Sequence, residues 1–415
     1  SSDHSLIALQ GGARHRAPPF VVSLNAPFHT SVQLLFESLF NGVAIGSVLL
    51  MAALGLAIVF GLMGVINLAH GELIMLGAYT TYVVQLIFKL PVLQPVYNAY
   101  VLVALPLAFI VSGVVGILLE RTVIRRLYGN PLETLLATWG VSLILQQFVR
   151  SVPLAHAAGL ILALVLGFGL PVVLPQRLFD GAKASFVRAG SWAVSALSGV
   201  LLAGGLASQI SRIARATSRN VDVTAPKWMR GGMEWMDITF PVPRLVIIVI
   251  TIVAVVGVTW FLNRSVWGMR IRAVTQNRAM SDCLGIPTQT VDVLTFGIGS
   301  GLAGVAGVAV SLLGSVGPNV GGSYIVGCFM VVVLGGVGNL LGTVLASFAI
   351  GWLTDLIGAG RLLTMWPDMP SPLAAVVEFF ATTSMAQVMV FALIVVFLQF
   401  RPAGLFPQKG RMVEA

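Results

Sequence analysis

GLAIVFGLMGVINLAHGELIMLGAYT, residues 55–80, is apolar enough to lie in a bilayer, yet its middle carries Asn67, His70, Gly71 and Glu72. A carboxylate at the bilayer centre costs roughly 2.5–3.5 kcal/mol on insertion scales, so such a cluster persists where it faces protein, water or a passing solute. Glycines 55, 61, 64, 71 and 77 loosen the helix and let neighbouring backbones approach closely. Two readings fit. Either this is an interrupted helix whose polar break points inward at depth, or it is an interfacial loop with Glu72 opening the next helix.

Outward from that stretch the composition decides the class. Of 415 residues, 57% are hydrophobic and 9% charged, whereas a soluble globular protein runs near ~25% charged. Apolar runs long enough to cross ~30 Å of hydrocarbon recur along the chain. The expectation is an all-α, polytopic transmembrane bundle of about 8–10 spans with broken or re-entrant helices. The net charge of +9 encodes orientation, because basic residues collect in cytoplasmic loops; it does not point to nucleic acid. Cys283 and Cys328 make neither a metal site nor a disulfide framework. Ser1 in place of methionine fits either a removed leader or a trimmed start.

Residues 1–31 read as an extramembrane tail, 32–411 as the membrane domain and 412–415 as a second tail. Val32–Ala69 is too long for one span and short for two, which predicts one span plus a shorter broken helix. Glu37 near its start is expected to snorkel at the interface. Leu73–Phe88 and Tyr100–Leu119 are the next spans, followed by a basic loop at Glu120–Arg126. Asn130-Pro131-Leu132-Glu133 then forms a helix start with Glu133 in a capping box. Within that helix Gln146 and Gln147 either bond to neighbouring helices or line a path.

Residues 152–220 form an atypical apolar insertion, read as two extra spans or as surface-lying or re-entrant packing. Ala225–Val242, with Trp228 and Trp235, is expected to be an external interfacial segment. Arg244–Leu262 is a clean span. Arg264–Asp292 is the longest polar stretch between spans, and its arginines place it in the cytoplasm. Within it Thr275–Leu284 predicts a short helix ended by Gly285 and Pro287, suited to docking in a partner's groove or else an ordinary basic loop. Leu294–Val316 is glycine-rich. Ser323–Gly358 is broken at Gly335–Asn339 in an echo of the first break, and parity requires it to cross twice or dip in and out. Ala374–Phe400 is the expected last span, before a basic tail.

No phosphate-binding loop, zinc-protease helix, nucleophile triad or CxxC pair occurs in the sequence. The five histidines are scattered, and no cofactor or metal is expected. Carboxylates in candidate spans are limited to Glu72, Asp355 and Glu378, so the energy for any transport is expected from a separate subunit.

Four stretches and the C-terminal end carry a resemblance. They are residues 55–79 (GLAIVFGLMGVINLAHGELIMLGAY), 120–147 (ERTVIRRLYGNPLETLLATWGVSLILQQ), 272–292 (RAVTQNRAMSDCLGIPTQTVD) and 317–343 (GPNVGGSYIVGCFMVVVLGGVGNLLGT), closing with RPAGLFPQKGR at 401–411. Together they resemble the permease subunit of branched-chain amino-acid-type ABC importers, and within that family its urea-transport member. The resemblance implies a second permease subunit, ATP-binding subunits and an extracytoplasmic solute-binding protein in the inner membrane. It implies that the 264–292 loop engages the ATPase, with Arg270, Arg272, Asn277, Arg278, Asp282 and Gly285 as coupling residues. Two departures stand out: the 152–220 insertion, and Gly327-Cys328 where relatives tend to carry an acidic-polar pair. For a small polar solute the expected path residues are Asn67, His70, Glu72, Thr138, Gln146, Gln147 and Asn339. Their amides and hydroxyls, without a matched charge pair, suit neutral urea, with an amino acid or short amide as the alternative and a passive urea channel as a reading of another class.

Overall fold

A computed structural model describes residues 28–151 except 90 and 92, scattered positions between 159 and 200, 220–365 except 236–237, and 371–406. The expectations for the N-terminal tail before residue 28, for nearly all of 152–220 and for the last residues lie outside the described residues. Thirteen α-helices are described. The first is α1 (Phe28–Met63), a single unbroken helix, so the shorter broken helix expected before Ala69 does not form. Uninterrupted apolar sequence propagates the helix until Gly64, whose φ of 70° ends it. Residues 64–69 are the break, and α2 (His70–Phe88) follows.

Next come α3 (Tyr100–Thr122) and α4 (Pro131–Ser151). A small antiparallel hairpin, β1 (Gly232–Trp235) with β2 (Ile238–Pro241), forms in the stretch expected to be interfacial. There the half-exposed Trp228 donates its Nε1–H to the Asn98 carbonyl at 2.8 Å. α5 (Val242–Arg264) leads into the polar loop, which holds α6 (Val266–Gln276) and α7 (Arg278–Cys283). α8 (Thr288–Leu313) is followed by α9 (Val320–Gly335) and α10 (Leu340–Gly358), then the short α11 (Arg361–Met365). The expected single last span is instead two helices, α12 (Ser371–Phe380) and α13 (Thr383–Phe400), bent by 116°. Thr382 takes an N-cap geometry there and accepts from the Met385 amide, restarting the helix. Among the described residues seven helices are long and apolar enough to cross a membrane, or eight if the bent pair is one span. The chain is a polytopic helical membrane protein.

α8 is the hub, packed against α1, α2 and α3. Without a strong hydrophobic drive between helices in lipid, close packing of small residues holds them together. Gly299 meets Gly55 of α1, Gly304 meets Gly77 of α2, and Gly301 lies under the Phe109 ring of α3. α10 runs along α1, with Gly351 against Gly42 and Gly46. Ser323–Gly358 therefore comprises the short α9 and the longer α10, joined at Gly336 and Gly338, both with positive φ. The second interruption touches the last turn of α1, since a methyl on Gly61 would stand 2.6 Å from the Gly338 Cα. Arg361 bridges the partly exposed Glu37 at 3.3 Å and Asp355 at 3.2 Å. An ion pair with a carboxylate neighbour holds this end of α1 and α10 together.

Candidate functional site

The break lies at depth. His70 places Nε2 3.0 Å from the Ala52 carbonyl oxygen. From Ala52 to Met63 the α1 axis advances about 16 Å at 1.5 Å per residue, so α2 begins well back inside the bundle from where α1 ends. Backbone at such depth needs partners. Asn67 Oδ1 accepts the Ala69 amide at 3.0 Å, and Thr138 Oγ1 of α4 accepts the Leu68 amide at 3.2 Å. The structure takes something from each reading: α1 and α2 are separate span-length helices with Glu72 in the first turn of α2, while Asn67, His70 and Glu72 are all buried.

Glu72 sits in the first turn of α2, the positive end of its dipole, and its side chain is buried. Its Oε1 accepts from Ser142 Oγ at 3.0 Å and from Gln146 Nε2 at 2.7 Å, both on α4. These partners belong to a stripe. Thr134, Thr138, Ser142 and Gln146 recur every fourth residue, a stripe that winds about 40° per step round α4 and sets Thr138, Ser142 and Gln146 against the break and α2; Arg150, one step further on, is exposed. The opposite face shows Leu132, Leu136, Trp139 and Leu143 outward. Arg150, one turn beyond Gln146, donates to Asn319 Oδ1 at 2.6 Å. Among the described residues four buried atoms of this region have no hydrogen-bond partner: Asn67 Nδ2, His70 Nδ1, Glu72 Oε2 and Tyr79 Oη.

The seam thus unites Asn67, Glu72, Thr138 and Gln146, while His70 bonds toward α1 from the same turn. Two expected path residues fall elsewhere. Gln147 is on the exposed face of α4. Asn339 caps α10, accepting the Gly342 amide at 3.2 Å and donating to the Phe406 carbonyl at 3.4 Å. Ser142, Tyr79 and Arg150 are missed by reading residues singly; the four-residue polar period of α4 is the signal that finds the first and last. Glu133 faces Asn130 Nδ2 at 3.1 Å, side chain to side chain, at the start of α4. Gly327 faces Leu49 and Cys328 is fully buried, so this pair belongs to the core packing between α9 and α1.

At the other candidate site, the expected helix at Thr275–Leu284 is divided. Asn277 leaves helical geometry, and its side chain accepts the Met280 amide at 2.9 Å, which ends α6 and starts α7. Gly285, with φ of 77°, closes α7. Arg278 bonds the buried Asp292 of α8 at 2.5 Å and lies over the Tyr128 ring at 5.0 Å. Burial, then the charges of Asp292 and Glu120, pushes the Tyr128 phenol well above its usual range. Asp282 accepts from Thr288 Oγ1 at 2.7 Å. Arg270 stacks on Trp267 at 4.9 Å, and Arg272 reaches Asn263 at 3.5 Å. Met269, Met280 and Leu284 are exposed beside them. Arg121, Arg125, Arg126, Arg264 and Arg401 end or follow helices at this same arginine-rich end.

Comparison with known proteins follows the same outline. The family described as branched-chain amino acid transport system / permease component matches residues 38–398. The chain is 26% identical over 371 residues to BraD of Pseudomonas aeruginosa, a high-affinity branched-chain amino acid transport system permease protein, covering 89% of this chain and 94% of that one. LivH of Escherichia coli, of the same description, is 26% identical over 347 residues, 82% of this chain and 92% of its own. LsrC of Salmonella paratyphi B, an autoinducer 2 import system permease protein, is 25% identical over 229 residues, 52% of this chain and 59% of its own. No solved structure matches.

Proposed function

Because the chain belongs to the family of branched-chain amino acid transport permeases, we propose that it carries an aliphatic amino acid inward as one subunit of an ATP-driven importer. One observation carries the choice of solute. Glu72 of α2 carries a carboxylate held by Ser142 and Gln146 of α4, and Arg150 puts a guanidinium one turn beyond Gln146 on α4. A zwitterion needs such a pair and a neutral solute does not. The names of BraD and LivH point to the same solute class. Urea is the second reading, favoured by the hydroxyls and amides of Thr138, Ser142 and Gln146 on that seam.

In this reading the arginine-rich end faces the cytoplasm, by the charge bias of inner-membrane proteins. The ATP-binding subunit docks on α6 and α7, where Met269, Met280 and Leu284 offer apolar anchors ringed by Arg270 and Arg272. A second permease subunit and an extracytoplasmic solute-binding protein complete the importer. The test is uptake of labelled leucine and labelled urea by the complex reconstituted in vesicles, with and without ATP. Leucine uptake that needs ATP, and that urea in excess leaves unchanged, is the expected result. ATP-dependent urea uptake insensitive to leucine overturns the amino-acid reading, and uptake without ATP overturns the importer.

A further inference from the structure

Resting on that reading, we propose that α2 and α4 enclose a binding site for an α-amino acid, with Glu72 receiving the ammonium and Arg150 with Tyr79 receiving the carboxylate. Glu72 and Tyr79 are seven residues apart on α2, two helical turns, and so share a face. Both are buried, and among the described residues both keep an oxygen with no hydrogen-bond partner, Glu72 Oε2 and Tyr79 Oη. Unpaired buried oxygens are uncommon because each forfeits its hydration. Two of them on one face of α2, the first beside Ser142 and Gln146 of α4, mark a place built for something else to bond.

The geometry assigns the roles. Ser142 and Gln146 already occupy Glu72 Oε1 and so hold the carboxylate still, leaving Oε2 for a donor from the solute. An ammonium supplies three N–H groups and a full charge, the strongest partner for it. One turn further along α4, Arg150 offers a planar fork suited to a carboxylate, and the Tyr79 hydroxyl can donate beside it. Asn319, the present partner of Arg150, stands at the N-terminus of α9 and would be displaced or would share the guanidinium. The apolar side chain of the solute finds Met75, Val83 and Val149 around Tyr79. Among the described residues α4 packs chiefly on α2, so parting that one contact opens the site.

The test compares leucine with two analogues as competitors of labelled leucine uptake: leucinamide, which lacks the carboxylate, and 4-methylpentanoate, which lacks the ammonium. The binding protein is the same in every arm, so its own selection cancels. Glu72→Gln is expected to raise the KM for leucine about tenfold and to shrink discrimination against 4-methylpentanoate. Arg150→Gln should do the same for leucinamide, and Tyr79→Phe should raise KM with kcat little changed. Glu72→Asp, which keeps the charge, guards against misfolding and should recover part of the affinity lost in Glu72→Gln. If the neutral variants assemble with wild-type KM and wild-type discrimination, the site is wrong while the amino-acid reading stands. If the wild-type complex takes up urea and not leucine, that reading fails and the site with it.

Discussion

Gly55 of α1 and Gly299 of α8 meet backbone to backbone, and a methyl group on Gly55 would overlap the Gly299 carbonyl oxygen and stand 2.9 Å from the His70 ring. The contact therefore sets both the spacing of two helices and the seat of the first residue of α2. Gly55→Val should push α1 from α8 and cost about 1–3 kcal/mol, the usual range for overpacking. Thermal unfolding of the detergent-solubilised protein checks this, with a lower midpoint expected and Gly140→Ala, in open space on α4, as the neutral control. Asn67 acts differently: its side chain satisfies a backbone amide in the break. Asn67→Ala should cost about 1 kcal/mol and leave the Ala69 amide unpaired. Hydrogen exchange at residues 64–72 reads that directly, with faster exchange expected there.

At the scale of elements, α7 is too short to be stable alone, since isolated helices below about 12 residues are marginal in water. It is held by its two ends and by Arg278 on Asp292, whose side chain is nearly buried in α8. Nearby, Arg125 pairs with the fully buried Glu120 at 3.4 Å and locks the base of α3. Removing Arg278 strands the Asp292 carboxylate. About half of the Arg278 side chain is solvated, so the loss should be on the order of 1–3 kcal/mol, below that of a fully buried pair. Arg278→Ala is expected to speed hydrogen exchange across residues 277–287, and exchanging the two charges between 278 and 292 should slow it again. Unchanged protection in the single variant would mean that the caps alone hold α7. If the pair does clamp α7 to the hub helix, a push on α7 reaches α1, α2 and α3 through α8.

For the whole molecule, the two cysteines report orientation. Cys283 is exposed at the end of α7, and Cys328 is fully buried. On the proposed orientation, with the arginine-rich end in the cytoplasm, a membrane-impermeant maleimide should label Cys283 in inside-out vesicles and leave intact cells unlabelled. Labelling from outside intact cells would reverse the direction of every helix and detach α6 and α7 from any ATPase.

Sequence alone was enough for the class and for the chemistry at the break. Twenty-residue apolar runs and scarce charge permit no other solution in lipid than helices, since each must satisfy its own backbone. The same logic exposes Asn67, His70 and Glu72, because polar groups in an apolar run are conspicuous whatever surrounds them. Tertiary structure alone decided which polar residues share a site. Gln146 and Gln147 are neighbours in sequence, yet a 100° step between them puts one on Glu72 and the other outward. Asn339 looks like a second Asn67 in its glycine-rich setting, but its side chain is spent on capping α10. The bond from Gln146 to Glu72 joins residues 74 positions apart, and such a pairing exists only once α2 and α4 have been brought face to face.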